Sequence, residues 1–152
     1  MIEIREGGLG DPQVEALLRH HRDEARATTP ICNAHSLDSN GLKAPGIRFF
    51  AAWDGDTLLG IGALKRLDAT HAELKSMRTH PDHLRKGVAR AMLGRLAAEA
   101  QAAGVTRLSL ETGTAPMFDA ANAMYELYGF MDCEPFAGYP ASSHNRFMTL
   151  SL

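Results

Sequence analysis

The sequence holds only two cysteines, Cys32 and Cys133, and no apolar run near the ~20 residues a membrane-spanning helix needs. Two thiols so far apart form neither a disulfide framework nor a zinc motif, and they read as reduced thiols in a cytoplasmic protein. There is no basic excess. Sixteen Lys and Arg against eighteen Asp and Glu give a formal charge of -2, which argues against a nucleic-acid-binding surface. Neither GxxxxGK[ST] nor GxGxxG occurs, so the standard glycine-rich nucleotide cradles are excluded. The seven histidines show no metal-ligand spacing, and no metal is expected. The first residues, MIEIREGG, alternate charged and apolar side chains and lack the basic-then-apolar order of a signal peptide. No membrane partner is expected.

What is present suits one globular domain over residues 1–152, with 45% apolar residues to build a core. MIEIRE alternates with period two, a strand pattern. Asp11 followed by Pro12 reads as an N-cap and first helical position, and Val14, Leu17, Leu18 and His21 give a helix over 12–26. A short helical turn is expected near Leu37–Leu42. Two β-rich runs flank Asp54-Gly55-Asp56, a tight-turn signal, and AELKSMRT supplies a third antiparallel strand. Val88, Met92, Leu96 and Ala100 then recur every four residues, one apolar stripe of a helix that Gly104 ends. VTRLSLE is a strand, APMFDAANAMYELYGF a second amphipathic helix ending at Gly129, and FMDCEPF and NRFMTLSL closing strands. The order β-α-(α)-β-β-β-α-β-α-β-β is that of a mixed α/β sheet.

One stretch breaks a local rule. In HLRKGVARAML, Arg85 and Lys86 stand where a helix begins, and cations there oppose the helix dipole at roughly 0.3–1 kcal/mol each. An anion at this helix start removes the conflict. Gly87 lets backbone approach a bulky group, and successive amides of the turn and first helical residues form a concavity for phosphate oxygens. An ordinary surface helix with two solvated cations is the competing reading.

HPDHLRKGVARAML resembles the acetyl-CoA motif of the GNAT superfamily of N-acetyltransferases, [Q/R]-x-x-G-x-[G/A], with Leu84 in the first position. Tyr125-Glu126-Leu127-Tyr128-Gly129-Phe130 resembles the family's C-terminal LYEKLGF, and the element order agrees over nearly the whole chain. The resemblance implies a mostly antiparallel sheet with one splayed parallel strand pair, flanked by helices. It implies acetyl-CoA as co-substrate and a small-molecule amine as acceptor, with a protein acceptor or a non-catalytic acyl-CoA sensor as alternatives. Relatives include monomers and homodimers.

By the same resemblance, Met77, Arg78 and Thr79 lie along the pantetheine arm. Arg85, Lys86, Gly87, Val88, Ala89 and Arg90 hold the pyrophosphate, and Asn122 stands near the cofactor. Tyr125 matches the tyrosine that protonates the departing thiolate, with a plain core tyrosine as the alternative. Glu73 is the candidate base, by its offset from Met77; the alternative is a surface pair with Lys75. Glu111, at the end of the next strand, is the second candidate. Asn33, His35, Tyr139, His144 and Arg146 lie in the two segments where relatives build the acceptor side, and Arg146 has the fork geometry for a carboxylate. Each is equally suited to an ordinary turn or surface position.

Overall fold

The computed structural model describes residues 1–28 and 37–152. It opens on strand β1 (Glu3–Glu6), whose alternation leaves Ile2 and Ile4 packed on the core. Asp11 caps the next helix, its side chain accepting from the Gln13 amide at 2.8 Å and the Val14 amide at 3.4 Å. Helix α1 (Pro12–Thr28) runs two residues past the expected end. Helix α2 (Ser39–Leu42) is a single turn capped by Asp38, later than the sequence pattern suggests. Strands β2 (Ile47–Asp54) and β3 (Thr57–Arg66) form the expected hairpin, closing at the Asp54↔Thr57 pair. Strand β4 (His71–Thr79) pairs antiparallel with β3.

After a one-turn 3₁₀ segment (Pro81–His83), helix α3 covers Val88–Ala102. Gly104 follows at φ 84°, the left-handed residue that ends such a helix. Strand β5 (Arg107–Gly113) leads through a second 3₁₀ turn into helix α4 (Asp119–Tyr128). Gly129, at φ 119°, stops α4, and the Phe130 amide returns to the Tyr125 carbonyl at 3.0 Å. Strand β6 is only Met131–Asp132, shorter than FMDCEPF promises, because Pro135 brings no amide to the ladder. Strand β7 (Asn145–Ser151) closes the chain.

The seven strands order as β1-β2-β3-β4-β5-β7-β6. Every pair is antiparallel except β4 and β5, which run parallel in the middle of the sheet. Neighbours along each strand feed opposite faces. Phe50, Ala52 and Leu59 join the apolar stripe of α3, Val88, Met92, Leu93 and Leu96, in one cluster. Phe49, Ala51, Trp53 and Ile61 pack with Val14, Leu17 and Leu18 of α1 and Leu42 of α2 in another. Helices therefore cover both faces. The α3 helix lies close on β3 because Gly60 and Gly62 carry no side chain. A Cβ on Gly62 would stand 2.9 Å from Met92 Cγ and 3.0 Å from Leu96 Cδ1, and one on Gly60 2.9 Å from Val88 Cγ1. Among the described residues, no helix is long and apolar enough to cross a membrane.

Candidate functional site

The parallel pair is short. Strands β4 and β5 pair from His71↔Arg107 to Leu74↔Leu110 and no further, although β4 continues to Thr79 and β5 to Gly113. Beyond Leu74 a register shift sets two β4 residues, Ser76 and Met77, against Gly62 of β3. Such a bulge bends the strand that carries it, and Ser76 takes φ 55° to make it. The two strands diverge into a cleft walled by β4, β5 and α4.

The edge that β5 leaves exposes main chain. The His80 amide donates to the Leu59 carbonyl at 2.8 Å, so His80 faces β3. Alternation then turns the N–H and C=O groups of Met77 and Thr79 toward the vacated side, and those of Arg78 toward β3.

Strand β4 runs directly into the loop that precedes α3. Arg85 at φ 62° and Gly87 at φ 81° are both left-handed. Gly87 is the N-cap with no side-chain bond, and a Cβ there would meet nothing within 4 Å. Among the described residues, no amide from Leu84 to Arg90 donates a hydrogen bond to the protein. Arg85, Lys86, Gly87 and Arg90 are exposed, Val88 is buried beneath the turn, and Ala89 is half-buried. Lys86 Nζ lies 3.0 Å from His83 Nδ1, which draws its ammonium over the loop. Unpaired amides, a helix N-terminus and exposed cations together have the chemistry that suits an anion.

Tyr125 projects from α4 into the cleft, 6% exposed, with its ring edge against Phe130 at 5.7 Å. Burial pushes its phenol up to about 12, against the opposing pull of the Arg78 cation, so the hydroxyl keeps its proton at neutral pH. Tyr128, on the other side of α4, is exposed. Arg78 is in turn fixed by α1: its Nε donates to His21 Nδ1 at 3.0 Å. Burial first, and the Arg78 charge second, lower His21 to about 3, so the imidazole is neutral and accepts.

Glu73 lies deep in the wall, 2% exposed. It is no surface residue. Lys75 Nζ stands 3.2 Å from its Oε2, and the Tyr139 hydroxyl donates to the same oxygen at 2.9 Å. Lys75 also donates to the Tyr139 hydroxyl at 2.8 Å. Tyr139 arrives from the loop before β7, stacked on Phe147 at 6.4 Å. Burial and the Glu73 carboxylate push its phenol well above the ordinary range. On β5, Glu111 Oε2 accepts from Asn145 Nδ2 at 2.8 Å, and His144 also lines the cleft.

Two of the residues proposed from sequence are bound by the protein itself. Arg146 is held on Asp132 at 2.6 Å and Glu126 at 2.9 Å, with its neighbour Asn145, not itself, lining the cleft. The strand alternation that puts Asn145 inward puts Arg146 on the opposite face. Asn122 is buried and bound to β5 at both ends of its amide, to the Gly113 carbonyl at 3.1 Å and the Thr112 hydroxyl at 2.8 Å. Phe118 packs against Gly113. Asn33, His35 and Cys32 lie outside the described residues. Several cleft residues have no role in the sequence reading, among them His21, Ser76 and Asn145. His21 gave a signal, a histidine on the apolar stripe of α1. Ser76 gave none, because a left-handed serine in a strand has no pattern.

A central parallel pair that parts above a helix start with free amides makes this a mixed α/β protein, and comparison with known proteins places it in a family. The sequence model of the Acetyltransferase (GNAT) family matches residues 14–130. The chain is 45% identical over 152 residues to an uncharacterized N-acetyltransferase of Escherichia coli (strain K12), YedL, covering 100% of this chain and 96% of that one. It is 44% identical over 151 residues to an uncharacterized N-acetyltransferase of Bacillus subtilis (strain 168), YsnE, covering 99% and 100%. The fold matches a proposed acyl-CoA N-acyltransferase of Klebsiella pneumoniae at TM-score 0.80 and 24% identity, covering 100% and 98%. It also matches a Bacillus subtilis acetyltransferase solved in complex with CoA at TM-score 0.72 and 15% identity, covering 100% and 99%. The chain belongs to the GNAT family of acetyltransferases.

Proposed function

We propose that this protein is a cytoplasmic acetyltransferase that moves the acetyl group of acetyl-CoA to the amine of a small molecule, directly, with both substrates bound. The observation that carries this reading is the set of unpaired amides from Leu84 to Arg90, bent by two left-handed residues at the end of the splayed strand pair. In this reading those amides, with Arg85, Lys86 and Arg90, take the pyrophosphate. Met77 and Thr79 pair with the pantetheine arm as an added strand would, and Arg78 anchors the strand from its β3 side.

Acetyl-CoA supplies the thioester. The acceptor's neutral nitrogen attacks the acyl carbon, the C–N bond forms, the C–S bond breaks, and the departing sulfur takes a proton. An alkyl ammonium has no lone pair, so the acceptor must first lose a proton. Glu73 and Glu111 both line the cleft; in this reading the two carboxylates, against the single charge of Lys75, draw an ammonium in and receive that proton. Tyr125 is protonated and buried in the same cleft, which supports reading its hydroxyl as the donor to the sulfur as it leaves.

The experiment is calorimetric titration with acetyl-CoA followed by thiol release with a panel of amines. Binding together with acceptor-dependent thiol release is the expected result. Tight binding with acetyl-CoA hydrolysis at background rate for every amine would assign the chain as an acyl-CoA sensor instead.

A further inference from the structure

Ser76 carries two unfavourable features at one position. It holds φ 55°, in the left-handed region that costs a side-chain-bearing residue free energy and suits glycine or asparagine better. It is also nine-tenths buried, at 9% exposure, and its Oγ has no hydrogen-bond partner. A buried hydroxyl without a partner loses its hydration and gains nothing in return. Neither feature serves the fold, since a glycine would make the same bulge without strain and without an orphan oxygen.

The surroundings show where the compensation lies. Ser76 lines the cleft between Lys75 and Met77, on the stretch of β4 beyond its last pair with β5. The other polar groups of that wall are already satisfied: Glu73 by Lys75 and Tyr139, Asn145 by Glu111 and Ser142. The Ser76 hydroxyl is the buried side-chain oxygen left without a partner among the described residues of the cleft. Strain and unsatisfied polarity that coincide in a cleft are stored against a ligand.

We propose that the Ser76 hydroxyl is a substrate-positioning contact for the acyl acceptor: a turn about χ1 brings its Oγ, sealed within the wall in the free protein, to the cleft, where it accepts an N–H of a neutral primary amine and aims the nitrogen lone pair along the cleft. This rests on the acetyltransferase reading above. A neutral hydroxyl suits this task because it favours the ammonium over the reactive, uncharged amine far less than a carboxylate would. Glu73 and Glu111 attract the cation, and Ser76 orients what remains after the proton has gone.

The test uses the full chain with Ser76→Ala and Ser76→Gly. Three quantities are measured for each: the ligand-free Tm, the Kd for coenzyme A, and the kcat and KM for one amine. That amine is whichever of 2-phenylethylamine, spermidine and L-lysine the wild type acetylates fastest. The proposal expects kcat/KM for the amine to fall at least tenfold in both variants. It expects coenzyme A affinity within twofold of wild type and a Tm no lower than wild type, higher for Ser76→Gly. A structural serine would lower Tm in both variants, and that result overturns the proposal. So does unchanged kcat/KM, or a loss confined to coenzyme A affinity. A wild type that fails to bind coenzyme A overturns the acetyltransferase reading itself. A wild type that binds and transfers while both variants match it overturns only the role of Ser76.

Discussion

Arg78 Nε donates to His21 Nδ1 at 3.0 Å and so ties β4 to α1 across 57 residues of sequence. The bond requires a neutral imidazole. His21 has a folded-state value of about 3 against an ordinary 6.5, so between those values the unfolded chain binds more protons than the folded one. Stability from this group is complete above pH 6.5 and is lost as pH falls toward 3. Other groups titrate in acid as well, among them Glu6, Glu99 and Asp132, whose carboxyls are held low chiefly by hydrogen bonds from Arg48, Arg48 and Arg146. The comparison with His21→Gln isolates the histidine. Urea midpoints from pH 8 to 4 are expected to fall less steeply below pH 6.5 in the variant; parallel slopes would mean the histidine is not buried neutral.

The Glu73–Lys75 pair makes a second prediction. Both side chains are buried, at 2% and 7% exposure. Removing one charge strands the other, which typically costs about 3–5 kcal/mol. Lys75→Met should destabilise by that order, and adding Glu73→Gln should recover most of the loss. Equilibrium urea unfolding of the single and double variants checks this; additive losses would show that the two side chains are not coupled.

Close packing of α3 on β3 gives a third. The Cβ of Gly62→Ala would fall 2.9 Å from Met77 Sδ and Met92 Cγ, closer than real contacts allow. The expected cost is roughly 1–3 kcal/mol, the range for overpacking a filled core. Thermal unfolding measures it, with Gly94→Ala, which meets nothing within 4 Å, as the comparison expected to be no less stable than wild type.

Much of this arrangement is legible in the sequence because its cause is local. The stripe Val88, Met92, Leu96 and Ala100 needs only helical periodicity, and Gly104 and Gly129 mark the two left-handed stops. The rule-breaking Arg85 and Lys86 mark the loop. What escapes is set by contacts distant in sequence. Tyr139 reaches Glu73 over 66 residues, so Glu73 alone suggests a surface pair where a buried cluster exists. Arg146 looks free for a substrate until β7 alternation and the Asp132 side chain are known. The parting of β4 from β5 leaves no trace in AELKSMRT, because the bulge depends on how Gly62 of β3 is opposed.

Tyr125→Phe is a fourth, catalytic prediction. The change keeps the buried ring and its contact with Phe130 and removes only the hydroxyl. If that hydroxyl serves the departing sulfur, kcat should fall about 10²–10⁴-fold, the usual range for one acid–base group. Coenzyme A affinity should stay within a few-fold. Steady-state thiol release and calorimetry on the same preparations separate the two effects; an unchanged kcat would remove Tyr125 from the reaction.

The central claim is that the unpaired amides between Leu84 and Arg90 hold a pyrophosphate, and calorimetric titration of coenzyme A into wild type and Gly87→Glu tests it most directly. Glutamate places a negative side chain at a left-handed position that is open on all sides, beside the proposed phosphates. The account predicts a Kd at least a hundredfold weaker in the variant, with Ala98→Glu, on the exposed side of α3, binding as wild type does. Equal affinity in Gly87→Glu and wild type would contradict it.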